Sequence, residues 1–394
     1  MSDRPLTQTI LTTERAHADE SLLGLLPQLN SISKATGISP FAIAREYLRI
    51  VGGPGGVSPA EFLELRLFDT EMYKGKDVRE FVGETRNAEF CYAINYRHDL
   101  YWMLDDKIAA TNHLNAHGLP VIPVKALYAL GSDKKDVFVL HDRASLEALL
   151  QNPENYPLFG KPTDSLNSLG SVGLIALGAK AGTAITSDGR MIGIIALVAE
   201  IETHYSGGYL FQSLVSPESS IAALCGRDRL PTVRFVTTMT GHGAELFRVA
   251  WKMPAGKNTA DNFWREGNLL LTMDIEGGKV LRAVSGRGLT MQEHQTHPDT
   301  EAQLVGFAHP HWNEMKALAL EGARLMRDIP YIGWDIACTD EGPVIVEMNK
   351  RPDAFLMQFA ERRGILDGKF KRLIEYQRHQ KDLFEAEIEG RPSI

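Results

Sequence analysis

Apolar positions recur at helical spacing through the first hundred residues and change to shorter, strand-like runs after that. Ser39-Pro40 sets a capping hydroxyl before a proline suited to the first helical position, and Phe41, Ala44, Tyr47, Leu48 and Val51 follow at helical spacing. The run Gly52-Gly53-Pro54-Gly55-Gly56 ends that helix. Ser58-Pro59-Ala60-Glu61 starts another with a capping-box pattern, followed by Phe62, Leu65 and Phe68. The glycine run lacks a preceding strand and a following Gly-Lys-Ser/Thr, so it reads as a loop and not as a phosphate cradle.

Near Leu104 the pattern changes. A short helix carrying Asp106-Lys107-Ile108 meets a stop at His117-Gly118, with Pro120 just beyond. Strand-like runs follow at 121–127, 137–140, 157–162, 191–197, 209–214, 232–238, 245–252 and 269–275. Residues 144–150 read as a helix, and 165–173 (SLNSLGSVG) as a small-residue loop. A helix over 313–328 carries Met315, Leu318, Ala319, Gly322 and Leu325 on one face, and a hairpin spans 331–349. The expected class is α+β: two lobes, 104–211 and 212–368, behind a mainly helical region, 1–103, with an amphipathic helix in 369–394.

Composition narrows the function classes. A formal net charge of −8 leaves no basic footprint for general nucleic-acid binding. Cys91, Cys225 and Cys338 stand far apart, so neither a disulfide framework nor a cysteine zinc site is expected. MSDRPLTQTI does not read as a signal peptide, and the longest apolar run, 191–199, is too short to span a bilayer. The expectation is a cytoplasmic protein that works without a membrane. His294, His297, His309 and His311 lack the helical context and cysteine partners of a zinc site and read as loop histidines. A Walker A lysine motif, a GxSxG elbow and a Rossmann fingerprint are all missing from the sequence.

The hairpin carries the most chemistry. On its second strand Glu347 and Asn349 share one face, while Val344, Val346 and Met348 share the other. With Asp340-Glu341-Gly342 as a three-residue loop and Gly342 left-handed, Thr339 faces Pro343 and Asp335 falls opposite Glu347. A two-residue loop would put Asp335 and Glu347 on opposite faces. Two carboxylates and an amide oxygen on one patch suit Mg²⁺, which takes few protein ligands and completes its shell with phosphate and water.

That segment resembles the metal-binding end of the ATP-grasp superfamily. The stretches DDKIAATNHLNAHGLPV, LPTVRFVT, the run through His297, Gly306, Pro310 and Trp312, and IGWDIACTDEGPVIVEMN resemble the sugar-transfer-associated ATP-grasp family. The resemblance implies that Asp335, Glu347 and Asn349 bind one or two Mg²⁺, with Mn²⁺ a possible substitute. It implies that Lys161 contacts the α/β phosphates of ATP and Lys107 is the second nucleotide lysine. The loop with Ser168 and Gly170 would close over the phosphates. Residues 209–215 would form the hinge, with Gln212 and the backbone of Leu214 or Val215 on adenine. Glu218, or alternatively Ser219, would meet the ribose. Many ATP-grasp enzymes carry glutamate where Gln212 stands.

Arg234 sits mid-strand in LPTVRFVT, where it either binds an acceptor carboxylate or γ-phosphate or makes a structural ion pair. Arg351 is the next candidate, ahead of Arg287, Lys252 and Asp261-Asn262. The implied activity is an ADP-forming ligase that activates a small-molecule carboxylate as an acylphosphate for attack by an amine. The alternatives are a phosphotransferase of the same fold and a nucleotide-binding module without turnover.

Overall fold

The computed structural model describes residues 22–163, 170–226, 229–258 and 260–389. Both expected helix starts are present. The Ser39 hydroxyl accepts from Ala42 N–H at 3.2 Å and opens α2 (Pro40–Ile50), after α1 (Leu22–Thr36). Ser58 and Glu61 form a full capping box at α3 (Pro59–Glu64).

The buried face of α2 differs from the expected one. Ile43, Glu46, Tyr47 and Ile50 point inward, whereas Phe41 is 79% and Leu48 65% exposed, and Val51 is exposed too. Two apolar stripes overlap on this helix. The winning one continues into the aromatic ladder of Tyr47, Phe62 and Phe68, with ring centroids 5.2 and 6.1 Å apart. Buried Glu46 is tolerated there because Arg45 and Arg49 both hold it, at 3.0 and 2.5 Å.

After α4 (Glu84–Ile94), the short α5 (Trp102–Asp105) and α6 (Lys107–Ala116), the chain builds its first sheet. Its strands are β1 (Val124–Tyr128), β2 (Val139–Leu140), β3 (Leu158–Pro162), β4 (Val172–Leu177), β5 (Thr183–Thr186), β6 (Met191–Gly193) and β7 (Tyr209–Ser213). They lie in the order β2-β1-β7-β3-β4-β5-β6, antiparallel apart from β1 with β2. Helices α7 (Arg143–Gln151) and α8 (Ile194–Tyr205) cover one face. The strand expected over 191–197 is therefore mostly helix. Ile194, Leu197, Val198 and Ile201 are its buried stripe, a spacing that a short continuous apolar run conceals.

The second sheet follows α9 (Ser219–Cys225). It comprises β8 (Thr232–Thr240), β9 (Gly243–Met253), β10 (Leu269–Met273), β11 (Val280–Ser285), β12 (Gln292–His294), β13 (Tyr331–Thr339) and β14 (Gly342–Asn349). The order is β12-β11-β10-β9-β8-β13-β14, so β14 is an edge. One face packs on α10 (Trp312–Leu325), where Met315 and Ala319 meet Trp251 and Trp334. Gly322 lets α10 approach closely, because a Cβ there would lie 2.7 Å from the Trp334 ring.

The other face of this sheet packs on the N-terminal helices together with α11 (Ala354–Glu361) and α12 (Gly368–Glu389) in one continuous core. Buried Gln358 ties these parts together. It accepts from Val82 N–H at 2.7 Å and donates to Val82 C=O at 2.8 Å. A lobe boundary between residues 211 and 212 would cut β7, so the division between the sheets falls after Ser213. Residues 104–121 touch both sheets. Ile108 packs with Leu127 and Leu210, while Ala110 and Leu114 join the core that holds Ile345 and Met348. Ile345 N–H donates to Pro120 C=O at 2.9 Å and fastens the edge strand.

Candidate active site

The β13–β14 hairpin closes through a two-residue turn, with Thr339 paired to Gly342, not the three-residue loop expected. A plain ladder from that turn would put Asp335 and Glu347 on opposite faces. A bulge between Asp335 and Ile336 takes up one extra residue and restores the pairing of Asp335 with Glu347. Gly333 then pairs with Asn349, so Asp335, Glu347 and Asn349 share a face. The bulge also changes the apolar face. Ile345 and Met348 are buried, while Val344 and Val346, expected there, are only half-buried. Ser219 steadies the turn, its N–H and hydroxyl donating to Asp340 at 2.9 and 3.0 Å.

The charged row continues across the sheet, since Asp335 pairs with Arg234 in register on the other side. Arg234 grips Asp335 with two N–H groups: Nε donates to Oδ1, and Nη2 to Oδ2 at 2.7 Å. Lys252 adds a bond to Oδ2 at 3.1 Å and lies 3.5 Å from Asp261. Asp261 in turn accepts from Thr232 N–H at 2.9 Å and from its hydroxyl. Burial alone would raise the Asp335 carboxyl, but Arg234 and then Lys252 hold it well below the usual carboxylate range. Burial raises Asp261, against the pull of Lys252.

Opposite the hairpin, Lys161 on β3 and Lys107 at the first position of α6 face the edge strand. Lys107, Lys161, Gln212, Val346 and Glu347 line one narrow cleft with Leu104, Thr111 and Leu210. Its volume of about 20 Å³ has room for about one water. Glu347 and Lys161 make no hydrogen bond or ion pair with a described residue. Burial lowers the Lys161 ammonium from its ordinary value; Glu347 opposes this, Lys107 adds to it and Asp335 opposes it. Gln212 is buried and donates to Ile122 C=O at 3.2 Å.

The remaining sequence candidates divide. Gly170 has φ +73°, its carbonyl accepts from the Tyr209 hydroxyl at 2.8 Å, and a Cβ would meet Tyr205 at 2.4 Å, so glycine is required there. Ser168 lies outside the described residues. Leu214 N–H donates to Pro157 C=O at 3.2 Å and Val215 follows it, half-buried. Glu218 caps α9, one carboxylate oxygen accepting from Ser220 N–H at 2.8 Å and Ile221 N–H at 3.2 Å, and neither it nor Ser219 lines the cleft. Arg351 is exposed, and its charge acts on Cys91 and Tyr101; it makes no bond to the Arg234–Asp335 pair. The strongest additions are Lys252 and Asp261, only secondary in the sequence. Lys252 shares a strand face with Ala250 and the buried Arg248, so nothing in the local pattern singles it out.

The histidines are structural. Buried His297 bonds Pro254 C=O at 3.1 Å, and His309, pushed down to about 4 by burial, packs against Trp251. Among the described residues no three His, Cys, Asp or Glu side chains come together to hold a metal, so a cation at the hairpin would depend on Asn349 as well. None of the three cysteines is in a disulfide, and all are buried. Among the described residues no helix is long and apolar enough to cross a membrane.

A family model for sugar-transfer associated ATP-grasp proteins matches residues 85–372, most of the chain. The chain belongs to that family. Members of the ATP-grasp superfamily bind ATP with Mg²⁺. No curated protein matches the chain. Among solved structures it is similar to the ADP complex of N5-carboxyaminoimidazole ribonucleotide synthetase, at 15% identity and TM-score 0.37, over 68% of this chain and 52% of that one. It is similar to D-alanine-D-alanine ligase from Coxiella burnetii, at 10% identity and TM-score 0.40, over 74% and 62%. A third is the ATP-grasp ligase PsnB with Mg and ADP, at 14% identity and TM-score 0.33, over 71% and 60%. The chain thus spans between about half and three fifths of those structures' length. The assignment rests on the family model, and these distant likenesses add no argument to it.

Proposed function

We propose that this ATP-grasp protein is an ADP-forming ligase that joins a small-molecule carboxylate to an amine. The observation that carries the reading is one cleft lined by Lys107, Lys161 and Gln212 from one side and Glu347 from the other. The nucleotide would lie between two lobes that divide after β7. Lys161 and Lys107 would take its phosphates; the half-buried Lys161 ammonium, whose charge burial disfavours, gains most from a multiply charged anion. Gln212 and the backbone of Val215 would hold adenine; Leu214 N–H already has its acceptor. The segment through Ser168 and Gly170 would cover the phosphates. Fixed cations around transferring oxygens stabilise the transition state without reorganising.

The hairpin's donor set is hard oxygen, which fits Mg²⁺ or Mn²⁺. Glu347 would hold the ion with Asn349, whose Nδ2 leans toward Gly333 C=O at 3.5 Å. When bound, the ion would neutralise charge on the phosphate oxygens. Arg234 would steady the acceptor. A carboxylate oxygen takes the γ-phosphoryl group and ADP leaves. An amine then attacks the acyl carbon, phosphate departs and the amine loses a proton. An assay of ADP and phosphate release over carboxylate–amine pairs, with mass spectrometry of the products, tests this. An amide product is expected. A stable phosphorylated acceptor would make the protein a phosphotransferase, and no nucleotide turnover with any pair would refute the ligase.

A further inference from the structure

We infer that Asp335 is a positioning residue for the cationic pair Arg234 and Lys252, and that it is not a metal ligand. The inference rests on the nucleotide–metal reading of the cleft and reassigns one residue within it. An ionised carboxylate offers about four acceptor directions, and three of those on Asp335 are filled, two by Arg234 and one by Lys252. Its side chain is only 6% exposed. A divalent cation bound there would sit against a guanidinium and an ammonium, and Coulomb repulsion would oppose it.

Glu347 contrasts at every point. It stands on the edge strand, half-buried, at the cleft wall opposite Lys161, with no hydrogen bond to a described residue. The face-sharing created by the bulge therefore serves two ends. Glu347 and Asn349 stand on the edge strand, and Glu347 lines the cleft. Asp335, one strand further in, is bonded to both Arg234 and Lys252. The network extends to Asp261, 3.5 Å from Lys252, so removing Asp335 leaves Lys252 one ion-pair partner and Arg234 none among the described residues. That makes Asp335 a stabiliser of the ligand-free fold, a role a metal ligand does not have.

The test compares Asp335→Asn, the double variant Arg234→Met/Asp335→Leu and Glu347→Gln. Calorimetry measures ADP affinity with and without Mn²⁺, and the ratio isolates the metal's contribution from any direct loss of ADP contacts. Melting of the ligand-free proteins is the second readout. Glu347→Gln should bring the ratio close to one with its melting temperature kept. Asp335→Asn should melt well below wild type. The double variant should regain most of that loss, since replacing both members of a buried pair by apolar groups is often neutral. It should also keep the Mn²⁺ ratio within about tenfold of wild type, the low end for residues that act outside the ligand set. A ratio that collapses in the double variant as in Glu347→Gln overturns the inference, as does a double variant no more stable than Asp335→Asn. A wild-type protein with no Mn²⁺ effect on ADP binding fails earlier, at the metal reading itself.

Discussion

Replacing Lys161 by methionine should raise the melting temperature of the ligand-free protein while removing its response to nucleotide. The ammonium is half-buried, has Lys107 as a like-charged neighbour, and makes no hydrogen bond to a described residue. A buried polar group without partners costs about 1–3 kcal/mol. Glu347 offsets part of that, so a gain of about 1 kcal/mol is expected, or about 1 °C in a chain of this length. The pH dependence has a definite sign. Burial lowers the folded-state pKa of Lys161 from its ordinary value. Below the folded value both states carry the charge and the penalty is complete. Above about 10.4, the unfolded value, neither state does and the penalty is gone. Wild-type stability should thus gain, from this group, as pH rises through that window, and Lys161→Met should lack the increment. With MgATP at a hundredfold excess over Kd, wild type should gain about 2.7 kcal/mol and the variant almost none. Differential scanning fluorimetry with and without MgATP reads both effects. A variant that melts below wild type near neutral pH, or keeps the full nucleotide shift, refutes the reasoning.

Three further substitutions probe what surrounds the cleft. Gly322→Ala should destabilise by about 1–3 kcal/mol in chemical denaturation, because its Cβ meets the buried Trp334 ring at 2.7 Å. Gln358→Leu should lose about 3 kcal/mol or more in the same assay, since Val82 N–H and C=O and Ile365 N–H, at 2.7, 2.8 and 3.3 Å, lose their partners together. Glu341→Gln, exposed in the hairpin turn, should stay within about 0.5 kcal/mol of wild type and keep its nucleotide shift.

Much of the fold was legible where local chemistry and long-range packing agree. Ser39 and Ser58 start helices as their capping patterns predict, and the long strands of the second sheet sit where the apolar runs do. Reading failed where two patterns compete. On α2 the Phe41–Leu48 stripe and the Ile43–Tyr47–Ile50 stripe have equal local merit, and only contact with Phe62 chooses between them. At 194–201 a run of apolar residues fits strand or helix equally well until Ile194, Leu197, Val198 and Ile201 are seen to face one core. For the candidate site, the sequence points to Lys107, Lys161, Gln212 and Glu347, and they line one cleft. Glu218 and Arg351 follow the hinge and the metal strand closely along the chain, but proximity carries no information about direction. One caps a helix and the other is exposed, with no bond to the Arg234–Asp335 pair.

In the hairpin an expected pairing is reached by a different route. A three-residue loop was needed, on paper, to bring Asp335 opposite Glu347, because a ladder has a period of two and one residue of slip changes faces. The chain reaches the same pairing with a two-residue turn and one bulged residue. Both routes add a single residue between the carboxylates and the turn, so side-chain counting cannot tell them apart. Their consequences differ. The bulge confines the irregularity to the stretch between Asp335–Glu347 and Ile336–Ile345, beside the charged row, and buries Ile345 against the main core. A longer loop would have left that stretch regular and put Val344 and Val346 inside. Because Val346 instead lines the cleft next to Glu347, the residue that restores the pairing also forms part of the wall that meets the other lobe.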